Sequence, residues 1–181
     1  TDKVAIITGA SDGIGKAAAR RIAAEGGTAM IIARTESTLN AAADELSQNS
    51  KGQVIPVVGD VCDPDLPKRV VEEAIGKFGR IDILVNNAGR SMAKHFDSVS
   101  DVDWEEDFDL KVWGAVRLIR AVIPEMRKNN GGRIINVTNL GGRTPGPSSM
   151  PTSISRATGI AITKALSKDL SVADVFRKGL K

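Results

Sequence analysis

Thr8-Gly9-Ala10-Ser11-Asp12-Gly13-Ile14-Gly15 follows an apolar run and leads straight into a helix-period segment. A turn of this kind can hold a pyrophosphate. Gly9 permits a sharp reversal, Gly13 lets the backbone approach the phosphates, and Gly15 lets the helix settle on the strand. The N–H groups of the turn, those of Ser11, Asp12 and Ile14 included, lie at the positive end of the helix dipole. Arg34 ends the second apolar run. A carboxylate in that place accepts hydrogen bonds from an adenosine ribose, whereas a cation accepts a 2′-phosphate. The planar, permanently charged fork of Arg34 therefore favours NADP(H) over NAD(H), and Asp12 inside the turn weighs the other way.

Other chemistries have less to stand on. Cys62 is the only cysteine, which excludes an internal disulfide, and it reads as a small hydrophobe without a chemical role. His95 is the only histidine, with no Cys, Asp or Glu at ligand spacing, so no metal site is expected. It lies in a loop on the ligand-binding side of the expected sheet, as a substrate contact or as an exposed residue. The net charge of +3 is spread along helices without interleaved aromatics, which excludes a nucleic-acid partner.

These residues must be held by a scaffold. Apolar runs at 4–8, 28–33, 54–58 and 81–86 alternate with helix-period segments at 14–25, 37–47 and 65–78. The runs are near-continuous, as expected of parallel strands covered on both faces. The fold expected is α/β, a doubly wound and mostly parallel sheet of Rossmann type in three α/β/α layers. Segment 102–128 reads as one long helix with the stripe Val112, Val116, Ile119 and Ile123, and with Trp104, Phe108 and Trp113 at spacings that suit core or helix–helix packing, a structural role. A fifth strand is expected at 133–138, a loop at 141–151 and a last helix at 152–170, whose Ala157, Gly159, Ala161 and Ala165 suit close packing.

With 181 residues, 41% of them apolar, a single domain over 1–181 is expected. No stretch approaches the roughly 18 apolar residues of a membrane helix. The opening Thr1-Asp2-Lys3 leads directly into a strand and leaves no room for a signal peptide, so a cytoplasmic location is expected.

The spacing of the glycine turn resembles the Thr-Gly-x-x-x-Gly-x-Gly of short-chain dehydrogenases/reductases. Asn86-Asn87-Ala88-Gly89 matches that family's Asn-Asn-Ala-Gly, and Arg133-Ile134-Ile135-Asn136-Val137 is similar to its fifth strand. The resemblance runs from Lys3 to about Leu170. It implies an NAD(P)(H)-dependent oxidoreductase that moves hydride between a nicotinamide and a carbonyl or alcohol. It also implies cofactor contacts at Asp60 and Val61, next to adenine, and at Asn87, Ala88 and Gly89.

In that family a Ser holds the carbonyl and a Tyr transfers the proton. A Lys lowers the Tyr pKa and holds the ribose, and an Asn in the long helix keeps a relay water. Carried over by position, these fall on Asn139, Thr152, Arg156 and Lys111, and the chain contains no tyrosine. An aliphatic Thr hydroxyl does not ionise in the range of a tyrosine, and an Arg is a poor proton donor although it can still grip ribose hydroxyls. Two readings stay open. One is an oxidoreductase with a rearranged relay, in which Lys111 supplies the proton while Thr152 and Asn139 orient the carbonyl. The plainer alternative for Lys111 is a solvated helix residue. The other reading is a cofactor-binding protein without turnover, a sensor or a partner subunit.

Beyond Leu170 the family continues with a sixth strand, a substrate loop and a seventh strand. Segment 171–181 matches none of these and resembles at most a helical fragment of that loop, so a carboxyl-terminal part of the fold is expected to be missing here. Relatives pair through the long and last helices, which implies a homodimer or homotetramer.

Overall fold

Val4–Thr8 (β1), Thr28–Ala33 (β2), Val54–Val58 (β3), Ile83–Asn86 (β4) and Arg133–Asn136 (β5) pair in the order β3-β2-β1-β4-β5, every pair parallel. The computed structural model describes residues 2–48 and 50–178, with side chains as far as residue 170. Two compact units divide it: Thr1–Arg90 with Asp109–Val137, and Ser91–Phe108 with Thr138–Lys181.

The first unit holds the sheet with α1 (Gly13–Ala24), α2 (Glu36–Gln48), α3 (Leu66–Phe78) and α5 (Gly114–Lys128). Successive strand residues point to opposite faces. On one face Ala5, Ile7, Ala29, Ile31 and Val85 pack with Ala19 of α1 and with Leu39, Ala42, Ala43 and Leu46 of α2. The alternate residues Ile6, Met30, Ile32 and Leu84 are buried as well, where α3 presents Leu66 and Val70 and α5 presents Leu118 and Val122. Burial on both faces is why these strands read as unbroken apolar runs. The chain leaves β1 toward β2 on one side and pairs it with β4 on the other, so the carboxyl ends of β1 and β4 open the crevice where such sheets bind ligands.

The opposite end of the sheet is tied by Asp82, just before β4. Its carboxylate accepts from Arg80 (2.8 and 2.6 Å), from Lys3 Nζ (2.8 Å) and from the Val4 N–H (3.0 Å), and it is almost fully buried. Burial pushes its pKa up, but the hydrogen bonds from Arg80, Lys3 and Val4 outweigh burial and hold it at about 2.

The second unit holds α4 (Asp101–Phe108) and α6 (Thr152–Lys178). Ser100 and Asp103 cap α4 reciprocally: the Ser100 N–H and hydroxyl donate to Asp103 (2.9 Å each), and the Asp103 N–H donates to Ser100 Oγ (3.2 Å). Lys94 adds a 2.6 Å bond, and Lys94 together with Ser100 holds the Asp103 carboxyl at about 2. The rings of Trp104 and Phe108 stack tilted, with centroids 6.2 Å apart.

Four expectations change. Segment 102–128 is not one α-helix, because a π-helical turn at Asp109–Trp113 separates α4 from α5. Just beyond it, Gly114 lies against Val61, where a Cβ would come within 3.1 Å, and Arg117 reaches back to Asp109 (2.8 Å) and the Cys62 carbonyl (3.1 Å). Those anchors set where α5 begins. Trp113, expected in the core or between packed helices, is 51% exposed. The widened turn changes the angular spacing on which that expectation rested. α6 continues to Lys178 instead of ending near Leu170, so residues 171–178 are helical, and residues 179–181 lie outside the described ones. β5 stops at Asn136, although the Val137 N–H still bonds the Asn86 carbonyl (2.9 Å). Among the described residues no helix is long and apolar enough to cross a membrane.

Candidate functional site

The glycine turn is assembled by residues almost eighty positions away. Thr8 Oγ1 accepts from the N–H groups of Asn87 and Ala88 (3.0 Å each), while Asn87 Nδ2 donates to the carbonyls of Thr8 (3.0 Å) and Gly9 (2.9 Å). The Asn87 amide nitrogen is thus spent on shaping the turn. Gly9 sits at φ +63°, and a Cβ there would lie 2.9 Å from Ala88 Cα. At Gly15 a Cβ would lie 2.5 Å from the Gly9 carbonyl oxygen and 2.6 Å from Asn87 Nδ2. Gly13, at φ +57°, faces open space with nothing within 4 Å of a Cβ. Two glycines are therefore demanded by packing, and the third leaves a bare surface beside the α1 N-terminus. Such a surface fits a pyrophosphate. Asp12 caps α1 without a side-chain hydrogen bond, and Asp12 and Ile14 are exposed.

An open cleft of about 200 Å³ lies beside the turn, lined by Gly9 and Ser11, by Arg34 and Asp60, and by Val61, Ala88 and Gly89. These seven expected residues come together. Asp12, Gly13, Ile14 and Gly15 belong to the adjoining turn, and Asn87 acts behind it. Arg34 and Asp60 form a loose ion pair of 3.8 Å between well-exposed groups, which is worth little in water and leaves the guanidinium able to meet a phosphate. The cleft also takes in Thr35, Arg90 and Leu110, which the motifs did not single out. Arg90 had a signal, since it directly follows Asn87-Ala88-Gly89.

Cys62 adjoins this region but is chemically quiet. Burial first, then Asp60 and Asp109, push its thiol up to about 12, so it stays protonated at physiological pH. Lys111, in the π-helical turn of the first unit, is 7% exposed, which overturns the solvated-helix alternative. A lysine has no reason to be buried unless its ammonium is engaged.

The second unit carries the other three positions. Asn139 is exposed and precedes a short 3₁₀ turn, where its Oδ1 accepts from the Gly142 N–H (3.3 Å). Gly142 lies on α6 at Arg156, where a Cβ would come within 2.9 Å of the Arg156 backbone. Thr152 opens α6 and is buried; its Oγ1 accepts from the Met92 N–H (2.9 Å) and donates to Asp107 Oδ1 (3.4 Å). Burial lowers the pKa of the Arg156 guanidinium, and the charge of Asp107 opposes that. Asp107, 0% exposed, escaped the motif reading entirely. His95 is exposed and lies 3.4 Å from Asp97. Among the described residues no group of three or more His, Cys, Asp or Glu could hold a metal ion.

Comparison with known proteins places these features in context. A family model described as short chain dehydrogenase matches residues 3–176. An oxidoreductase of Bacillus subtilis is 34% identical over 167 residues, covering 92% of this chain and 62% of its own length. One from Staphylococcus saprophyticus is 34% identical over 174 residues, covering 96% and 74%. Among solved structures, L-sorbose reductase from Gluconobacter frateurii, complexed with NADPH and L-sorbose, superimposes with a TM-score of 0.91 at 34% identity, over 96% of this chain and 66% of that one. An actinorhodin polyketide ketoreductase with NADPH gives 0.89 at 30% identity, over 93% and 65%. The chain thus spans between about three fifths and three quarters of the length of these proteins.

Proposed function

Because the chain belongs to the short chain dehydrogenase family, we propose that it forms the dinucleotide-binding body of an NAD(P)(H)-dependent oxidoreductase acting on a small carbonyl or alcohol. The observation that carries this reading is the turn at Thr8–Gly15, closed to side chains at Gly9 and Gly15 and open at Gly13. When bound, the nicotinamide gives or takes a hydride. The chain's own groups do the rest: the turn and the α1 N-terminus hold the pyrophosphate, Asp60 and Val61 flank adenine, and Arg156 holds ribose hydroxyls. Asn139 and Thr152 orient the substrate oxygen, and Lys111 handles the proton. The burial of Lys111 supports that last role over a surface one.

NADP(H) is the preferred cofactor in this reading, supported by Arg34 and Arg90 in the cleft and by the NADPH held in the two similar reductase structures. Fluorescence titration should find NADPH bound more tightly than NADH. Arg34→Glu should weaken NADPH by about tenfold or more, the worth of one charge-assisted phosphate contact, while moving NADH by less than about twofold. Neither cofactor binding below millimolar concentration would overturn the reading.

Turnover is tested on a carbonyl and alcohol panel. Lys111→Ala should lower the rate by ~10²- to 10⁴-fold, as loss of a positioned acid or base does. Activity indifferent to that change removes Lys111 from the mechanism. A silent wild type that gains activity from Thr152→Tyr with Arg156→Lys would instead indicate a binding protein without turnover. The same proposal makes the protein a cytoplasmic homodimer or homotetramer, for which the exposed Trp113 supplies apolar surface.

A further inference from the structure

Asp107 is the one buried residue of α4, and its carboxylate is wholly removed from solvent. An apolar side chain would serve that position with less cost, since burying a carboxylate costs several kcal/mol unless it is paired and hydrogen-bonded. What it meets instead are two substituted positions at the start of α6. The Thr152 hydroxyl donates to Asp107 Oδ1 (3.4 Å), and the half-buried Arg156 guanidinium feels its charge.

We propose that Asp107 is a positioning residue for the reaction: it fixes the Thr152 hydroxyl in one orientation. The proposal rests on the oxidoreductase reading. A threonine hydroxyl has one proton and two lone pairs. The proton goes to Asp107, and one lone pair takes the Met92 N–H (2.9 Å). Donation to a carboxylate enriches the hydroxyl oxygen, which makes it the better acceptor. The turn at Leu140–Gly142 fixes the neighbouring backbone, with Gly142 against Arg156 and the Thr138 hydroxyl on the Arg156 carbonyl (3.4 Å). Asp107 then orients the Thr152 side chain on a backbone that is already held.

The test uses the full chain with Asp107→Asn, Asp107→Glu, Thr152→Val and the double change Asp107→Asn with Thr152→Val. Each is followed by NADPH fluorescence titration, melting temperature, and kcat and KM on the best alcohol of the panel. Asp107→Asn should lower kcat by ~10²-fold, the scale of a misplaced reacting group, with KM and NADPH affinity within about twofold of wild type. Asp107→Glu should recover part of that loss, and the double change should be no slower than the worse single one. A folded Asp107→Asn protein with wild-type kcat would overturn the proposal, as would single losses that multiply in the double variant. A wild type that binds NADPH but turns nothing over defeats the oxidoreductase reading. Asp107 is then judged by melting alone: losses in Tm that fail to add for the two single changes sustain its hold on Thr152, and additive losses end it.

Discussion

Gly15→Ala is expected to reduce NADPH affinity by at least ~10²-fold and to lower the melting temperature by roughly 5–10 °C, the latter from an overpacking cost of about 3 kcal/mol. The added methyl has nowhere to go. It would lie 2.5 Å from the Gly9 carbonyl oxygen and 2.6 Å from Asn87 Nδ2, so α1 must back away from β1 or Asn87 must release the turn. Either movement displaces the N–H groups offered to phosphate. Gly13→Ala is the informative control, because nothing lies within 4 Å of its Cβ and only the left-handed backbone at φ +57° resists it. That strain costs about 1–2 kcal/mol. It should leave the melting temperature within roughly 5 °C of wild type while the methyl obstructs the ligand's approach. Thermal melts and NADPH titrations on the two variants separate packing from contact. A Gly15→Ala protein that binds NADPH like wild type would remove the turn from the binding site.

Asp82→Ala is expected to cost about 3 kcal/mol of stability at neutral pH, read from urea midpoints. It deprives the buried Val4 N–H of its acceptor and leaves Lys3 and Arg80 facing each other, although both can turn toward water. The pH dependence follows from the same geometry. The folded carboxyl titrates at about 2 against an ordinary 3.8, so the unfolded chain takes up the proton first as pH falls. The contribution is fully present above about pH 5, is worth about 2 kcal/mol there, and is lost as pH falls toward 2. The gap between wild type and Asp82→Ala should therefore narrow steadily between pH 5 and pH 2.5. A gap that stays constant over that range would show that the carboxylate's charge is not what holds the strands.

Some of this was visible in the sequence for a definite reason. β1 and β2 have the bounds that their apolar runs suggest, because strands buried on both faces leave no polar residue inside to blur them, and the edge strand β3 keeps its expected bounds as an unbroken apolar run although Pro56 and Val58 are exposed. The cradle was legible because its glycines are contiguous. What escaped depended on burial and on distant partners. Lys111 and Asp107 look like ordinary charges on an exposed helix, and only the packing puts them inside. The π-helical turn leaves no mark in a sequence whose apolar stripe continues past it, and Trp113 was misplaced in consequence. The bonds from the Asn87 amide nitrogen to the carbonyls of Thr8 and Gly9 join residues 78 and 79 positions apart, which its motif does not reveal. Asp82 did carry a signal, a lone carboxylate between Ile81 and Ile83 with Arg80 beside it, but its cross-sheet partner Lys3 lies 79 positions away.

That separation also governs when the cradle can exist during synthesis. The glycine motif leaves the ribosome well before the residues that shape it, since its bonds come from Asn87 and Ala88, 78 to 80 positions later. Until β4 has docked beside β1, the motif is a flexible loop with no defined set of donors. Dinucleotide capture is therefore a late event in the folding of the first unit, and any nascent chain that stops short of Asn87 carries the motif without the site.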